Sequence, residues 1–189
     1  MKAKQVIFIQ GGGDNGYDAD SALVLSLKKN LGNEYQVDYP AIQSDETSSD
    51  FGWTKQIGEI INKINQDTIL VGHSFGASMI LKYFSENSIS KSIKAIFLLA
   101  TPFWSGNDDW QKGLKLKEDF AYKLSNKIPI FLYHCQDDEE VPFSHFNEYK
   151  KRLAKATFRQ INIGGHQFSN DLAFLATEIK FYEACTMNR

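Results

Sequence analysis

Ser74 stands in the pentapeptide Gly72-His73-Ser74-Phe75-Gly76, with an apolar run from Thr68 to Val71 before it and a helix-forming stretch from Ala77 to Phe84 after it. A Gly-x-Ser-x-Gly between a strand and a helix puts the serine at the tip of a sharp turn. Its hydroxyl is exposed there, and the glycines let neighbouring backbone pass close. A serine hydroxyl is a poor nucleophile at neutral pH. It needs a base to take its proton, an acid to orient that base, and donors for the oxyanion that forms on attack. His166, after Gly164-Gly165, has the near-neutral pKa that the base requires. Asp137 and Asp138 follow His134-Cys135, and either can be the acid. The oxyanion donors are then the backbone N–H of Phe75 and one from the loop Gln10-Gly11-Gly12-Gly13, at Gly12. Such a set would transfer an acyl group from an ester or thioester to serine and then to water.

These groups come from distant parts of the chain, so the elements between them must bring them together. Val6 to Ile9, Tyr35 to Pro40, Thr68 to Val71, Lys94 to Ala100, Pro129 to Cys135 and Thr157 to Ile163 read as strands, most of them continuous apolar runs as in strands buried on both faces. Helical spacing is found over Ala19 to Asn30, Phe51 to Ile64, Ala77 to Phe84, Lys117 to Leu124, Ser144 to Lys155 and Asn170 to Cys185. Strands alternating with helices predict a three-layer α/β/α sandwich around a six-stranded, mostly parallel sheet with right-handed crossovers. In such sheets ligands bind beyond the C-terminal ends of the strands. Ser74, both aspartates and His166 all follow strands closely.

A chain of 189 residues fits one domain over 1–189, with a small irregular cap-like segment at about 101–127. That segment is too short for a large lid, which predicts an open site suited to short acyl groups. Phe103, Trp104 and Trp110 within it are aromatic candidates for a substrate pocket, though packing would explain each equally well. A net charge of −2 without a dense Lys/Arg patch excludes a nucleic-acid footprint. The apolar runs are of strand length, so no membrane span is expected, and the chain reads as cytoplasmic. Cys135 and Cys185 suggest neither a disulfide framework nor a metal site, and histidines do not pair at ligand spacing. Gly11, Gly13 and Gly16 match a dinucleotide-loop spacing, but Tyr35 to Ala41 supplies no obvious ribose-binding acid. No cofactor or metal is expected. The expected partner is a small acyl substrate, with the chain a monomer or small homo-oligomer. His73 reads as a packing residue, and His134 and His145 as supports of the acid loop and a helix start.

Nearly the whole chain resembles the α/β-hydrolase superfamily. The matching pieces are Gln10-Gly11-Gly12 where that family often has His-Gly, the Ser74 pentapeptide, Gly165-His166, and His134-Cys135-Gln136-Asp137-Asp138-Glu139-Glu140-Val141-Pro142. The last is similar to the family's His-Gly-x-x-Asp-x-x-Val-Pro stretch, a register that implies Asp138 as the catalytic acid. The size and trimmed ends look like the small capless serine hydrolases related to retinoblastoma-binding protein 9 and the YdeN group. This resemblance implies an α/β-hydrolase fold lacking its first two strands, with sheet order 2-1-3-4-5-6, and carboxylesterase-like activity through Ser74, Asp138 and His166. Gln10 and Cys135 depart from the family pattern. A catalytically silent binding scaffold, or cleavage of an amide or lactone, is the alternative.

Overall fold

A computed structural model describes residues 3–13, 15–88, 91–124 and 128–187. The first strand, β1 (Lys4–Ile9), lies between β2 (Tyr35–Asp38) and β3 (Thr68–His73), followed outward by β4 (Ile93–Leu99), β5 (Ile130–Cys135) and β6 (Thr157–Ile161). Every neighbouring pair is parallel, in the order 2-1-3-4-5-6 that the family resemblance implies. Successive side chains in a strand point to opposite faces, and the sequence fills both faces. Val6 and Phe8, Ile69 and Val71, and Phe97 and Tyr133 point to one side, where they meet helices α2 (Ser21–Leu31) and α7 (Ala173–Met187) through Leu23, Leu27, Leu175 and Ile179. Ile7, Ile9, Leu70, Leu98 and Leu132 point to the other, against α3 (Trp53–Asn62), α4 (Ser74–Glu86) and α6 (Ser144–Arg152) through Trp53, Ile57, Ile80 and Phe146. Among the described residues no helix is long and apolar enough to cross a membrane.

Several elements are shorter than their sequence patterns predict. The stretch Ala19 to Asn30 is divided by Asp20, with a one-turn α1 (Gly16–Ala19) before it and α2 after it. The helix expected from Phe51 begins at Trp53, because Phe51 and Gly52 have φ of 54° and 70° and make a left-handed turn. The segment after β4 forms only a 3-10 turn, Asp109–Leu114, and a one-turn α5 (Phe120–Lys123), held down by Leu114, Phe120 and Leu124. Residues 125–127 of the expected cap-like segment lie outside the described residues. In-register pairing of Ile9 with Gly72 and of His73 with Leu99 brings the C-terminal strand ends into one row, and the loops that follow β1, β3, β5 and β6 rise from it.

Candidate active site

Ser74 is the first residue of α4 and has φ of 49°, a left-handed conformation that costs an L-residue about 1–2 kcal/mol. The turn is imposed by crowding. A Cβ on Gly76 would lie 2.1 Å from the Gln10 carbonyl and 2.8 Å from Ile9, so only glycine lets α4 start against the end of β1. A Cβ on Gly12 would lie 3.0 Å from the Cβ of Phe75, so the two backbone segments expected to carry the oxyanion donors are in contact. The Gly11 N–H is already committed, donating at 2.7 Å to Asp20 Oδ2. Gln10, which stands where the resembled family has histidine, is buried and accepts the Ile42 N–H at 3.0 Å through Oε1, tying this loop to the one after β2.

At the other end of the row, His166 Nδ1 lies 3.0 Å from both carboxylate oxygens of Asp138. Asp138 Oδ1 also accepts the N–H of Val141 at 2.8 Å and of Glu140 at 3.0 Å. His134 donates through Nε2 to the Val141 carbonyl at 2.8 Å, and that nitrogen is 3.3 Å from Asp138 Oδ2. Burial alone would push both members of the His166–Asp138 pair towards neutrality. The hydrogen bond and charge of Asp138, with further contributions from Glu140 and Asp20, nevertheless hold His166 above the usual imidazole range. The Asp138 carboxyl is held below its usual range by His166 and by the backbone donors, against the cost of its burial. Asp137 does different work: its carboxylate accepts the N–H groups of Gly164 and Gly165 at 2.9–3.1 Å and fixes the loop that carries His166. The chain then makes an uncommon left-handed turn, Phe168, Ser169 and Asn170, with φ of 50°, 53° and 55°. The Ser169 N–H donates to the Gly164 carbonyl at 2.7 Å and closes this turn under His166.

Ser74 and His166 open together onto a cavity of about 180 Å³, bounded also by Gly11, Gly12, Glu140 and Gln167. His166 Nε2 stands 3.5 Å from Glu140 Oε2, and among the described residues no hydrogen bond of 3.5 Å or less joins it to the Ser74 hydroxyl. Such bonds often tighten only when substrate is bound. Gln167 lines this cavity, while its Oε1 is buried and, among the described residues, without a hydrogen-bond partner. A second cavity, of about 430 Å³, begins at Gly12 and Phe75 and continues past Gln10, Ile42, Phe51 and Trp53. Among the described residues neither cavity is lined by a lysine or arginine, whereas Glu140 lines the first and Glu46 the second. A larger cavity of about 590 Å³, around Leu124, Pro129 and Leu153, lies near the N-terminal ends of β5 and β6, away from these groups.

The aromatic residues expected at the pocket are distributed differently. Phe103 packs on Tyr149 and under the Arg152 guanidinium, and its N–H donates to His145 Nδ1. Trp104 reaches the elbow edge-on, 5.8 Å from Phe75, and donates to Ser78 Oγ at 3.0 Å. Trp110 packs on Trp104 and is half exposed. None of the three lines either cavity beside Ser74, whereas Phe51 and Trp53 do line the larger of the two. Cys135 is fully buried, and burial pushes its thiol up to about 12, which makes it an inert core residue. The sequence reading missed the pair formed by Asp20 and His73, which are buried together with His73 Nδ1 at 2.8 and 2.9 Å from the two Asp20 oxygens. A histidine beside the nucleophile was the one available signal; nothing in the local pattern marks Asp20 as buried.

A family model described as serine hydrolase matches residues 24–171. No curated protein matches the chain in sequence. Among solved structures, the ydeN gene product of B. subtilis is similar with a TM-score of 0.78 at 19% identity, over 96% of this chain and 100% of that one. Est1E from Butyrivibrio proteoclasticus is similar with a TM-score of 0.73 at 16% identity, over 100% of this chain and 90% of that one. The meta-cleavage product hydrolase CumD from Pseudomonas fluorescens IP01 gives 0.73 at 15% identity, over 97% and 92%. At these identities the likeness is one of fold.

Proposed function

The chain belongs to the serine hydrolase family, and from that premise we propose that it cleaves a small ester or thioester through an acyl-enzyme, with Ser74 as nucleophile, His166 as general base and acid, and Asp138 as the orienting acid. The observation that carries this reading is that the strained Ser74 elbow and the Asp138-bound His166 meet at one cavity. Substrate enters with its carbonyl oxygen towards the N–H groups of Phe75 and Gly12. His166 Nε2 turns from Glu140 to the Ser74 hydroxyl and takes its proton as Oγ attacks the carbonyl carbon. Asp138 holds Nδ1 protonated and stabilises the imidazolium. Collapse of the tetrahedral intermediate expels the alcohol or thiol, protonated by His166. Water, activated in turn by His166, releases the acid.

The test is labelling with a fluorophosphonate, together with hydrolysis of a panel of p-nitrophenyl esters, thioesters and lactones. Wild-type protein should be labelled and Ser74→Ala should not. Asp138→Asn should lower kcat by about 10⁴-fold with its fold intact, since the amide supports the wrong imidazole tautomer. Short acyl chains should be preferred over long ones, given the small volume around Ser74. Folded wild-type protein that resists the probe would sink the proposal. Because the fold is common to an esterase and a meta-cleavage product hydrolase, the panel also decides the type of bond.

A further inference from the structure

Asp20 occupies the N-cap position of α2, where an aspartate ordinarily accepts the helix's free N–H groups. It makes no such side-chain bond. Instead its carboxylate turns inward, 1% exposed, and collects three donors from three parts of the chain. Oδ2 accepts the Gly11 N–H at 2.7 Å, both oxygens face His73 Nδ1, and Oδ1 accepts Gln167 Nε2 at 3.2 Å. The other ring nitrogen, His73 Nε2, lies 3.1 Å from the backbone carbonyl of His166. A carbonyl can only accept, so Nε2 is the nitrogen that donates there, while Nδ1 faces the Asp20 carboxylate. The imidazole next to Ser74 is therefore bonded on one side to Asp20, which in turn holds the loop after β1 through the Gly11 N–H, and on the other to the loop after β6. Phe168 packs against the ring, with centroids 6.3 Å apart.

We infer that Asp20 and His73 are positioning residues for the reaction, a buried clamp that fixes the Gly11–Gly12 backbone and the His166 loop to the Ser74 elbow. The inference rests on the reading of Ser74, His166 and Gly12 as the reaction centre. Neither residue hydrogen-bonds a reacting side-chain atom, although both line the same cavity and the His73 ring lies 4.8 Å, centroid to centroid, from the His166 ring. By taking the Gly11 N–H, Asp20 fixes the Gln10–Gly11 peptide, one unit before the peptide that carries the Gly12 N–H, and so restricts the direction in which that N–H points. By holding the His166 carbonyl, His73 sets the backbone from which the general base projects. A displacement of about 1 Å in either can cost on the order of 100-fold in rate, and loss of an oxyanion donor costs about 10²–10³.

The experiment compares Asp20→Asn, His73→Asn, His73→Gln and His73→Ala with wild type and Ser74→Ala, reading kcat and KM on a short p-nitrophenyl ester alongside the Tm. The Asn side chain puts an amide near the place of Nδ1 and keeps the arm to Asp20, while Gln puts one near the place of Nε2 and keeps the arm to His166. The clamp predicts that Asp20→Asn lowers kcat by about 10- to 100-fold with KM changed less than about threefold. It also predicts that each single-arm variant at 73 retains more kcat than His73→Ala, out of proportion to any difference in Tm. Should Asp20→Asn fail to fold, hydrogen exchange in the wild type still decides: the Gly11 amide should be strongly protected beside fast-exchanging Gly12 and Gly13. Wild-type kcat in a folded Asp20→Asn, a loss carried by KM alone, or a Gly11 amide exchanging as fast as its neighbours overturns the clamp. If Ser74→Ala is also fully active, the proposed reaction centre falls with it; if Ser74→Ala is dead, the clamp alone is wrong.

Discussion

Glu140 is the residue whose consequence for catalysis is easiest to measure. Its side chain is largely exposed, yet Oε2 lies 3.5 Å from His166 Nε2, the nitrogen proposed to accept the serine proton. Together with Asp138, its charge holds His166 protonated to higher pH than burial alone would allow. Only neutral His166 can act as base, so kcat/KM should rise with pH along a limb lying above the ordinary imidazole pKa. Glu140→Gln removes one negative charge, lowers the His166 pKa and moves that limb to lower pH. A pH–rate profile of the two proteins checks this, and an unmoved or upward-moved limb contradicts it. At the same scale, the residues proposed for the reaction were legible: the Ser74 pentapeptide stands in the sequence as a local pattern, and the family resemblance supplies the Asp138 register. Asp20 was not, because its burial depends on donors at positions 11, 73 and 167, which only the fold brings to it.

Among the elements, the turn at Phe168–Asn170 stores backbone strain. Three consecutive residues other than glycine hold positive φ, each at a cost of about 1–2 kcal/mol. Phe168 is buried against His73 and Phe174, whereas Ser169 is exposed and contributes its N–H to the turn. Ser169→Gly keeps that N–H and removes the steric cost. It should raise stability by about 0.5–1 kcal/mol after the extra freedom of the unfolded chain is subtracted, read as a higher midpoint in urea with the slope unchanged. Element boundaries were the less legible part of the sequence. The strand pattern continues through Ile163, yet β6 ends at Ile161 and Ile163 is exposed, because Asp137 takes the next amides, Gly164 and Gly165, into the site. Likewise, the helical spacing over Lys117 to Leu124 yields one turn, with Phe120 and Leu124 as its buried anchors.

For the molecule as a whole, the alternation of strands and helices implied the layers and the parallel sheet. The strand order came from the family resemblance, and the rule that ligands bind beyond the C-terminal strand ends pointed to the side that carries the candidate site. The shape of the pocket followed from none of these, since it depends on which aromatics from the loops after β2 and β4 reach Phe75. Charge acts at this scale too. The two cavities beside Ser74 present Glu46 and Glu140 and, among the described residues, no lysine or arginine. An anionic acyl group should therefore be rejected: a succinyl ester should show kcat/KM about five- to tenfold below that of a neutral ester of equal length. The gap should narrow as salt is added. A preference for the anionic ester would show that the field at the site is not the one these carboxylates create.

The chain's three tryptophans lie on one aromatic path. Trp53 meets Phe75 edge-on at 4.8 Å, Trp104 meets the same ring at 5.8 Å, and Trp110 follows Trp104 at 5.6 Å. Phe75 is the residue next to Ser74, the proposed nucleophile, so every strong fluorophore in the protein is one or two rings from the place where an acyl group would attach. Intrinsic emission is thus a ready optical readout of turnover. Mixing with a slowly hydrolysed ester should change its intensity or wavelength as acyl-enzyme accumulates, and the signal should return as the ester is consumed. Ser74→Ala, which can bind but not acylate, should lack that transient.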